Sequence, residues 1–185
     1  MKIMTERLIL RDLKKTDARD LQINANNIKI AKYIPPFPYP YLLKDAKSFI
    51  NHCIKEQNKK PRENYEFCIE LKSENKIIGM ISVTKVDKFQ GTCTVGYWLG
   101  EKYWRQGIIF EAMKTIIEFI FNKLKLRRIN IEAFGDNDAS NALIKKMGFT
   151  YEGTLRKKDR DRATGKIHDD IKYGMLKSDY KRIHK

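Results

Sequence analysis

The sequence predicts an α+β domain with a mostly antiparallel sheet of seven strands and about four helices. Three observations support this fold class. Runs with the two-residue alternation of half-buried strands are interrupted by segments with helical spacing. The three central strands are joined by connections too short for parallel pairing. The chain has 185 residues, a length that suits one core, so we expect residues 1–185 to form a single domain.

The first third of the chain predicts one strand, two helices and one irregular loop. Apolar and polar residues alternate over residues 5–11, as in a half-buried strand. Helical spacing follows Thr16, a residue type that caps first turns. The segment YIPPFPYPY, residues 33–41, must be a stiff aromatic loop because proline fixes φ and removes backbone donors. A second helix carries Asp45 to Cys53 and ends before Pro61.

The rest of the chain predicts six strands and two helices. Three adjacent strands are YEFCIELK, KIIGMISVTKV and TCTVGYWLG, and a long amphipathic helix follows Gly107. Then come the strand RRINIEAF, the helix DASNALIKKM and the strands GFTYEGTLRKK and HDDIKYGML. Because the long helix separates the fourth and fifth predicted strands, we expect these two to be parallel and joined by a right-handed crossover.

Composition excludes several classes of protein. With 42% hydrophobic and 33% charged residues the chain is neither disordered nor collagenous. It has no apolar run of membrane-spanning length and no apolar signal peptide, so we expect a cytoplasmic protein without membrane contact. Three scattered cysteines suggest neither a disulfide framework nor a metal site. The net charge of +15 favours polyanionic partners and leaves nucleic-acid binding open as an alternative function.

The segment GYWLGEKYWRQGIIFEA, residues 96–112, leads from a strand into the first turn of the long helix. The first backbone N–H groups of a helix lack intrahelical partners and carry the positive end of the helix dipole, so phosphate binds there. Gly107 lets a phosphate approach the backbone, and Arg105 adds a forked cation. This junction therefore predicts a phosphate-binding turn, although a glycine could also simply begin the helix.

Together with FGDNDASNALIKKMGF, TERLILRDL, EGTLR and HDDIKYGML, this segment resembles the GCN5-related N-acetyltransferases (GNAT), in particular the RimJ and RimL type. The resemblance covers essentially the whole chain. It implies a fold whose fourth and fifth strands splay apart to hold acetyl-CoA without any metal. The implied cofactor-binding residues are Tyr97, Trp98 and Leu99 on the strand edge, Trp104, Arg105, Gln106, Gly107, Ile108 and Ile109 in the pyrophosphate loop, and Asn137 and Ser140 in the following segment.

The resemblance also implies catalytic roles. Ser140 is the candidate donor to the departing sulfur, with Tyr97 and Tyr151 as substitutes, whereas Asn137 and Ser140 are also ordinary helix-capping residues. Asp159 is the candidate general base, but the cations around it would make it a poor base, and simple pairing with these basic neighbours on a surface hairpin is the alternative. The alternatives acting through water are Glu132, Glu66 and Asp170. Three positions depart from the family pattern: Thr94 replaces a glutamate, Ile109 would narrow the loop, and Ala142 replaces an arginine.

The expected acceptor is a primary amine, with a protein N-terminal α-amine favoured and polyamines or aminoglycosides next. An α-amine has a pKa of roughly 7.7 to 8.0 and so needs only a weak base. The aromatic loop of residues 33–41 would line the acceptor site, or would simply pack its apolar side chains as a long connection. A catalytically degenerate acyl-CoA sensor and a basic nucleic-acid-binding module are the alternatives. Proximity to the ribosome or RNA, and a homodimer, are further expectations.

Overall fold

The computed structural model of the chain describes residues 1–183. Within them one eight-stranded sheet has the order β1-β2-β3-β4-β5-β6-β8-β7. Its strands are β1 Lys2–Met4, β2 Leu8–Asp12, β3 Tyr65–Leu71, β4 Lys76–Asp87, β5 Thr92–Leu99, β6 Arg128–Phe134, β7 Thr150–Arg160 and β8 Ile167–Leu176. The helices in the same part of the chain are α1 Ala18–Ala25, α2 Ile28–Ala31, α3 Leu43–Gln57, α4 Ile108–Glu118, α5 Asp138–Lys146 and α6 Lys177–Ile183.

The α+β class and the mostly antiparallel sheet are confirmed, but two counts differ from prediction. The sheet has eight strands within residues 1–183, because Lys2–Met4 forms an extra edge strand beside β2. The turn between them begins at Thr5, whose N–H donates to the carbonyl of Leu8 at 3.0 Å, so the predicted strand over residues 5–11 starts three residues late. The described chain has six helices rather than about four, since α2 and α6 were not predicted.

The predicted parallel pair is the pair β5 and β6, numbered one higher because of the extra edge strand. Its register contains four residue pairs, from Thr92 with Arg128 to Val95 with Ile131. Both strands continue beyond this point, β5 to Leu99 and β6 to Phe134, without pairing to each other. The two strands therefore separate after Val95 and leave an open gap in the sheet.

Two apolar cores cover the two faces of the sheet. The larger core lies under α4 and α5 and includes Leu8, Phe67, Ile81, Val95 and Ile131 from the strands and Ala112, Ile116 and Ile144 from the helices. The smaller core lies under α1 and α3 and includes Cys68, Met80, Leu21 and Ile50. This second core does not extend to β6, β7 or β8, so that half of the face is bordered by polar side chains instead.

The long helix predicted after Gly107 is confirmed in position but changes geometry near its end. It runs as α4 to Glu118 and continues as one π-helical segment, Phe119–Lys123. The buried side chains Ile116, Ile120 and Phe121 lie within this length. Buried apolar side chains therefore continue from α4 through the π-helical segment. Packing of this kind stabilises a helix far more than its intrinsic propensity does. No helix within residues 1–183 is long and apolar enough to traverse a bilayer.

Candidate active site

The open edge of β5 lies beside the gap. The N–H of Gly100 donates to the carbonyl of Ile78 on β4 at 2.8 Å. Residues of an antiparallel pair alternate between facing the partner strand and facing away, and the register pairs Ile81 with Tyr97. The backbone groups of Tyr97 and Leu99 consequently face away from β4, toward the gap. Unpaired backbone groups at a sheet edge can accept an extended ligand as though it were another strand.

Trp98 differs from its two neighbours. By the same alternation its backbone faces β4, so only its side chain remains to contact a ligand. The indole belongs to the core under α1 and α3, where it packs edge-on to Phe37 with ring centroids 5.9 Å apart. Because Phe37 belongs to the aromatic loop of residues 33–41, Trp98 connects that loop to β5.

A run of six unpaired backbone amides follows β5. None of the N–H groups from Arg105 to Phe110 donates a hydrogen bond to a group within residues 1–183. Arg105 and Gly107 have φ angles of 60° and 73°, in the left-handed region. Successive amides around such residues form a concavity that binds anions, and the start of α4 adds its helix dipole. The loop therefore has the chemistry of a phosphate site.

Arg7, from the turn before β2, holds this loop in place. Its Nη1 donates to the carbonyl of Gln106 at 2.9 Å, and its Nε donates to Oε2 of Glu111 at 2.7 Å. Burial disfavours the charged form of Glu111, but hydrogen bonds from Thr5 and Arg7 outweigh burial and lower the pKa of Glu111. Sequence reasoning missed Arg7 and Glu111, which lie 104 positions apart, because no local pattern connects them.

The loop is also attached to the end of β5. The indole N–H of Trp104 donates to the carbonyl of Leu99 at 2.7 Å. This bond occupies the carbonyl of Leu99, one of the backbone groups expected to bind the cofactor. The N–H of Leu99 and the backbone groups of Tyr97 remain available to a ligand. Trp104 thus closes the loop against the strand.

Ile109 does not narrow the loop as the sequence had suggested. Ile108 and Ile109 are only 2% and 8% exposed, and both side chains pack in the core under α4. Only their backbone groups are available at the loop. A Cβ at Gly107 would point into open space, with its nearest neighbour an Arg7 nitrogen 3.7 Å away.

Across the gap, α5 places a hydroxyl against β5. The Tyr97 hydroxyl and the Oγ of Ser140 are hydrogen-bonded at 2.8 Å. Burial raises the pKa of Tyr97 to about 12, and the bond to Ser140 only partly opposes this effect. Both hydroxyls therefore keep their protons near neutral pH and can donate a hydrogen bond. Tyr151, the other substitute donor, lies exposed on β7 with its hydroxyl bonded to Thr154 at 3.0 Å.

Side-chain hydrogen bonds hold the start of α5 in place. Asn137 caps the helix by accepting a hydrogen bond from the N–H of Ser140 at 3.3 Å. The amide of Asn141 donates to the carbonyls of Phe134 and Asn137, both at 2.9 Å, and its oxygen accepts from the hydroxyl of Tyr173. The capping interpretation of Asn137 is therefore confirmed. Its role toward the cofactor stays a prediction.

Three of the four candidate bases surround one lysine. The Nζ of Lys158 lies 3.2 Å from Glu132, 3.2 Å from Asp159 and 2.8 Å from Asp170. Glu132 also pairs with Lys172. Burial opposes ionisation of Glu132, but both lysines outweigh it and lower the pKa of Glu132. Burial, with the nearby charge of Asp159, raises the pKa of Asp170. Asp159, the predicted base, is thus engaged by a cation.

The fourth candidate, Glu66, lies on β3. It is half-buried, and its carboxylate makes no hydrogen bond or ion pair with another group of residues 1–183. Burial raises the pKa of Glu66 to about 7, and the positive charge of Arg62 opposes this only in part. A carboxyl group with such a pKa exchanges protons readily near neutral pH.

Sequence reasoning missed a buried histidine near the start of α5. His168 on β8 lies between two carboxylates, with Nδ1 3.0 Å from Asp136 and Nε2 3.0 Å from Asp161. Its ring stacks on Phe134 with centroids 4.1 Å apart. Burial disfavours the charged form of Asp161, but bonds from Thr164 and His168 outweigh burial and lower its pKa to about 2. His168 therefore connects the segment before α5 to the β7–β8 turn.

The aromatic loop contacts the same region. The hydroxyl of Tyr33 donates to the carbonyl of Asp136 at 3.2 Å, and the N–H of Arg162 donates to the carbonyl of Pro35 at 3.2 Å. These bonds bring the aromatic loop, the segment before α5 and the β7–β8 turn together. Within residues 1–183 no group of three or more His, Cys, Asp or Glu side chains is arranged to hold a metal ion.

Comparison with known proteins identifies a matching family and curated relatives. Residues 7–150 match the model of the acetyltransferase (GNAT) domain. The uncharacterized N-acetyltransferase p20 of Bacillus licheniformis is 30% identical over 180 residues, which are 96% of this chain and 97% of that protein. The ribosomal-protein-serine acetyltransferase of Escherichia coli is 36% identical over 83 residues, 45% of this chain and 46% of that protein.

Solved structures of acetyltransferases superpose on this chain. The microcin C7 self immunity acetyltransferase MccE, in complex with acetyl-CoA and AMP, superposes with a TM-score of 0.81 at 27% identity. The alignment covers 93% of each chain. The ribosomal L7/L12 acetyltransferase RimL, in complex with coenzyme A, has a TM-score of 0.84 at 21% identity and covers 95% of this chain and 98% of that one.

Proposed function

Since this chain belongs to the GNAT family of N-acetyltransferases, we propose that it transfers an acetyl group from acetyl-CoA to a primary amine. The transfer is direct, with both substrates bound at once. The observation that carries the proposal is the row of unpaired amides from Arg105 to Phe110 at the start of α4. These amides fit a diphosphate, since they lie beside Gly107 and have no acceptor of their own within residues 1–183.

The gap between β5 and β6 suits the rest of the donor. The free backbone groups of Tyr97 and Leu99 fit the amides of the pantetheine arm. The hydroxyls of Tyr97 and Ser140 lie beside this edge. We assign to this pair the hydrogen bond that stabilises the departing sulfur, a thiolate whose conjugate acid has a pKa of roughly 8.5. Asp159 remains the base predicted from the sequence, and its carboxylate is occupied by an ion pair with Lys158.

We propose a protein N-terminal α-amine as the acceptor, with a small-molecule amine such as a polyamine or aminoglycoside next. Two relatives are named for ribosomal proteins, the E. coli ribosomal-protein-serine acetyltransferase and RimL. The aromatic loop, connected to β5 through Phe37 and Trp98, offers a rigid wall for a peptide end. A single domain over residues 1–185, a homodimer, and contact with the ribosome or RNA stay predictions.

Two measurements test this function. Calorimetry with acetyl-CoA and with coenzyme A should give saturable binding of both. A screen for release of the CoA thiol against N-terminal peptides, polyamines, aminoglycosides and free amino acids should then show turnover with at least one amine. Binding without turnover on any amine would support an acyl-CoA sensor. An absence of binding, together with salt-sensitive affinity for RNA, would support a nucleic-acid-binding module.

A further inference from the structure

Glu66 begins a row of side chains that crosses the sheet to the gap. Its strand partner on β4 is Ser82, and the partner of Ser82 on β5 is Gly96. Adjacent strands are about 4.8 Å apart, which places the Cα atoms of Glu66 and Gly96 about 10 Å apart. Gly96 directly follows Val95, the last residue of β5 that pairs with β6. The row therefore ends where the two strands separate.

All three residues are on the face of α1 and α3. Side chains two positions apart on a strand share a face. The positions two residues away from Glu66, Ser82 and Gly96 are Cys68, Met80 and Trp98, which pack in or against the core under α1 and α3. Thr94, where the family pattern has a glutamate, is also on this face, two residues before Gly96. Glu66 thus lies on the same face as the position of the missing carboxylate.

The row between Glu66 and the gap is small and polar. Gly96 has no side chain, and the hydroxyl of Ser82 donates to the carbonyl of Gly96 at 3.4 Å. Small polar positions leave room for water and give it partners. A Cβ at Gly96 would approach the Ser82 hydroxyl to 3.3 Å, so a larger residue at either position would fill this space.

The other carboxylates near the gap are less suited to accept a proton. Lys158 contacts Glu132, Asp159 and Asp170 at once. Despite burial, the bonds from Lys172 and Lys158 lower the pKa of Glu132 and so weaken it as a base, and the carboxylate of Asp159 is occupied by its ion pair with Lys158. Asp170 is in addition only 3% exposed, so it is not accessible to an acceptor amine. Glu66 differs from all three because its carboxylate, although half-buried, has no hydrogen-bond or ion-pair partner within residues 1–183.

The groups that face Glu66 leave it available. Arg62 precedes β3, but its guanidinium donates to Asp12 at 2.7 Å and stacks on the ring of Tyr65. Cys53 of α3 also faces Glu66, and burial raises the pKa of its thiol well above the usual range, so the thiol stays neutral. Within the described residues, Arg62 is the only cation close enough to lower the pKa of Glu66.

We propose, on the basis of the acetyl transfer above, that Glu66 accepts the proton of the acceptor ammonium through water held over Ser82 and Gly96. The neutral amine nitrogen then forms a bond to the thioester carbon, and the carbon–sulfur bond breaks with its electron pair on sulfur. The sulfur takes up the second amine proton with help from the Tyr97 and Ser140 hydroxyls. The products are the amide, the free CoA thiol and one proton, which Glu66 returns to solvent. The pKa of about 7 for Glu66 suits this exchange.

The test is the pH dependence of kcat/KM for Glu66→Gln. The wild-type value should rise with pH through about 7, because Glu66 must be ionised to accept a proton. In Glu66→Gln the rise near pH 7 should be lost and only the rise that follows the acceptor amine, with its pKa of roughly 7.7 to 8.0, should remain. The value of kcat/KM at pH 7 should fall by about 10- to 100-fold. The loss should shrink at pH 9, where more of a peptide α-amine is already neutral. The affinity for acetyl-CoA should not change.

Glu63→Gln is the matched control, since it makes the same chemical change at an exposed position three residues before Glu66 and should keep the wild-type pH profile. Ser82→Val should reproduce part of the Glu66→Gln loss by displacing water. An unchanged pH profile in Glu66→Gln, with wild-type turnover intact, would overturn the role of Glu66 alone. Loss of the rise in Asp159→Asn but not in Glu66→Gln would assign the proton to Asp159. A wild-type protein that acetylates no amine would remove the function and this role together.

Discussion

The hydroxyl of Tyr97 lies 2.8 Å from the Oγ of Ser140, and this bond joins the open edge of β5 to the first turn of α5. The two residues are 43 positions apart in the chain. Tyr97 lies on the part of β5 that no longer pairs with β6. Ser140 lies at the start of α5, which hydrogen bonds of Asn141 and Tyr173 hold in place. One of the two neutral hydroxyls donates to the other, so the pair offers one free hydroxyl hydrogen at this side of the gap.

Ser140→Ala should lower kcat by about 10- to 100-fold while changing the dissociation constant of acetyl-CoA by less than about twofold. The hydroxyl is proposed to act on the departing sulfur rather than on the bound donor. Thiol release gives kcat, and calorimetry gives the affinity. Tyr97→Phe should have a similar effect, and the double variant should lose less than the product of the two, because the residues share one bond. Tyr151→Phe is the control, and turnover equal to wild type in Ser140→Ala would remove Ser140 from the mechanism.

Gly107→Val should weaken acetyl-CoA binding by at least about 10-fold. The φ of Gly107 is 73°, where a β-branched residue is strained by about 1 to 3 kcal/mol, and its side chain would extend into the space beside the unpaired amides. Gly165→Ala provides a comparison, since Gly165 has a similar φ of 77° in the β7–β8 turn with no atom near its Cβ position. That variant should lose stability without losing affinity. An unchanged dissociation constant in Gly107→Val would count against the phosphate site.

Arg7→Gln should weaken the binding of coenzyme A by about 10-fold, because hydrogen bonds from a charged group stabilise by roughly 1.5 to 3 kcal/mol. Arg7 keeps the carbonyl of Gln106 and the carboxylate of Glu111 in place. Titration calorimetry measures the effect, and Arg182→Gln on α6 removes the same charge from an exposed pair as a control. Equal affinities in Arg7→Gln and wild type would show that the loop keeps its shape without Arg7.

His168→Leu should lower the free energy of unfolding by about 1 to 3 kcal/mol, since it removes one hydrogen-bond partner from the buried carboxylate of Asp161. Asp161 is fully buried, and its other bonds come from Thr164. Urea denaturation followed by circular dichroism measures the change. Ile167→Thr, at an exposed neighbouring position of β8, is the control. A loss below about 1 kcal/mol in His168→Leu would mean that the β7–β8 turn does not depend on this contact.

Acid should destabilise the protein partly through Asp161. Its pKa is lowered to about 2 in the folded state, against about 3.9 in an unfolded chain. A lowered carboxyl pKa stabilises the fold above the unfolded value, and the stabilisation is lost as pH falls through the folded value. The free energy of unfolding should therefore decline between about pH 4 and pH 2, and this decline should be smaller in Asp161→Asn. Parallel curves for the two proteins would contradict the assignment.

Local patterns predicted most of the sheet and the long helix, since alternation and helical spacing are set by neighbouring residues. The extra strand Lys2–Met4 is too short to show alternation, and the short helix Ile28–Ala31 has little more than one turn. Gly107 and Ser140 were predicted because they lie in contiguous motifs, and the structure places Ser140 beside Tyr97. The Arg7–Glu111 pair and the His168 cluster join residues far apart in the chain, and only the folded topology brings them together.

The identity of the general base also depends on contacts that local sequence patterns do not show. Motif spacing pointed to Asp159, but spacing does not show that Lys158 lies within 3.2 Å of three carboxylates at once. Whether a carboxyl group is paired or solitary depends on neighbouring strands. Glu66 became distinct from the others only once its surroundings on β3 and β4 were known.

Within residues 1–183, β5 and β6 pair through only four residue pairs, Thr92–Val95 with Arg128–Ile131, and this short seam is the strand pairing that joins the first five strands to the last three. The rigidity of the sheet across this seam must then depend on what fills the gap between β5 and β6 beyond Val95. A ligand that pairs with the amides of Tyr97 and Leu99 would lengthen the seam and brace both halves. Hydrogen–deuterium exchange in β6 should accordingly slow as coenzyme A is added, even though β6 supplies none of the groups assigned to its phosphates.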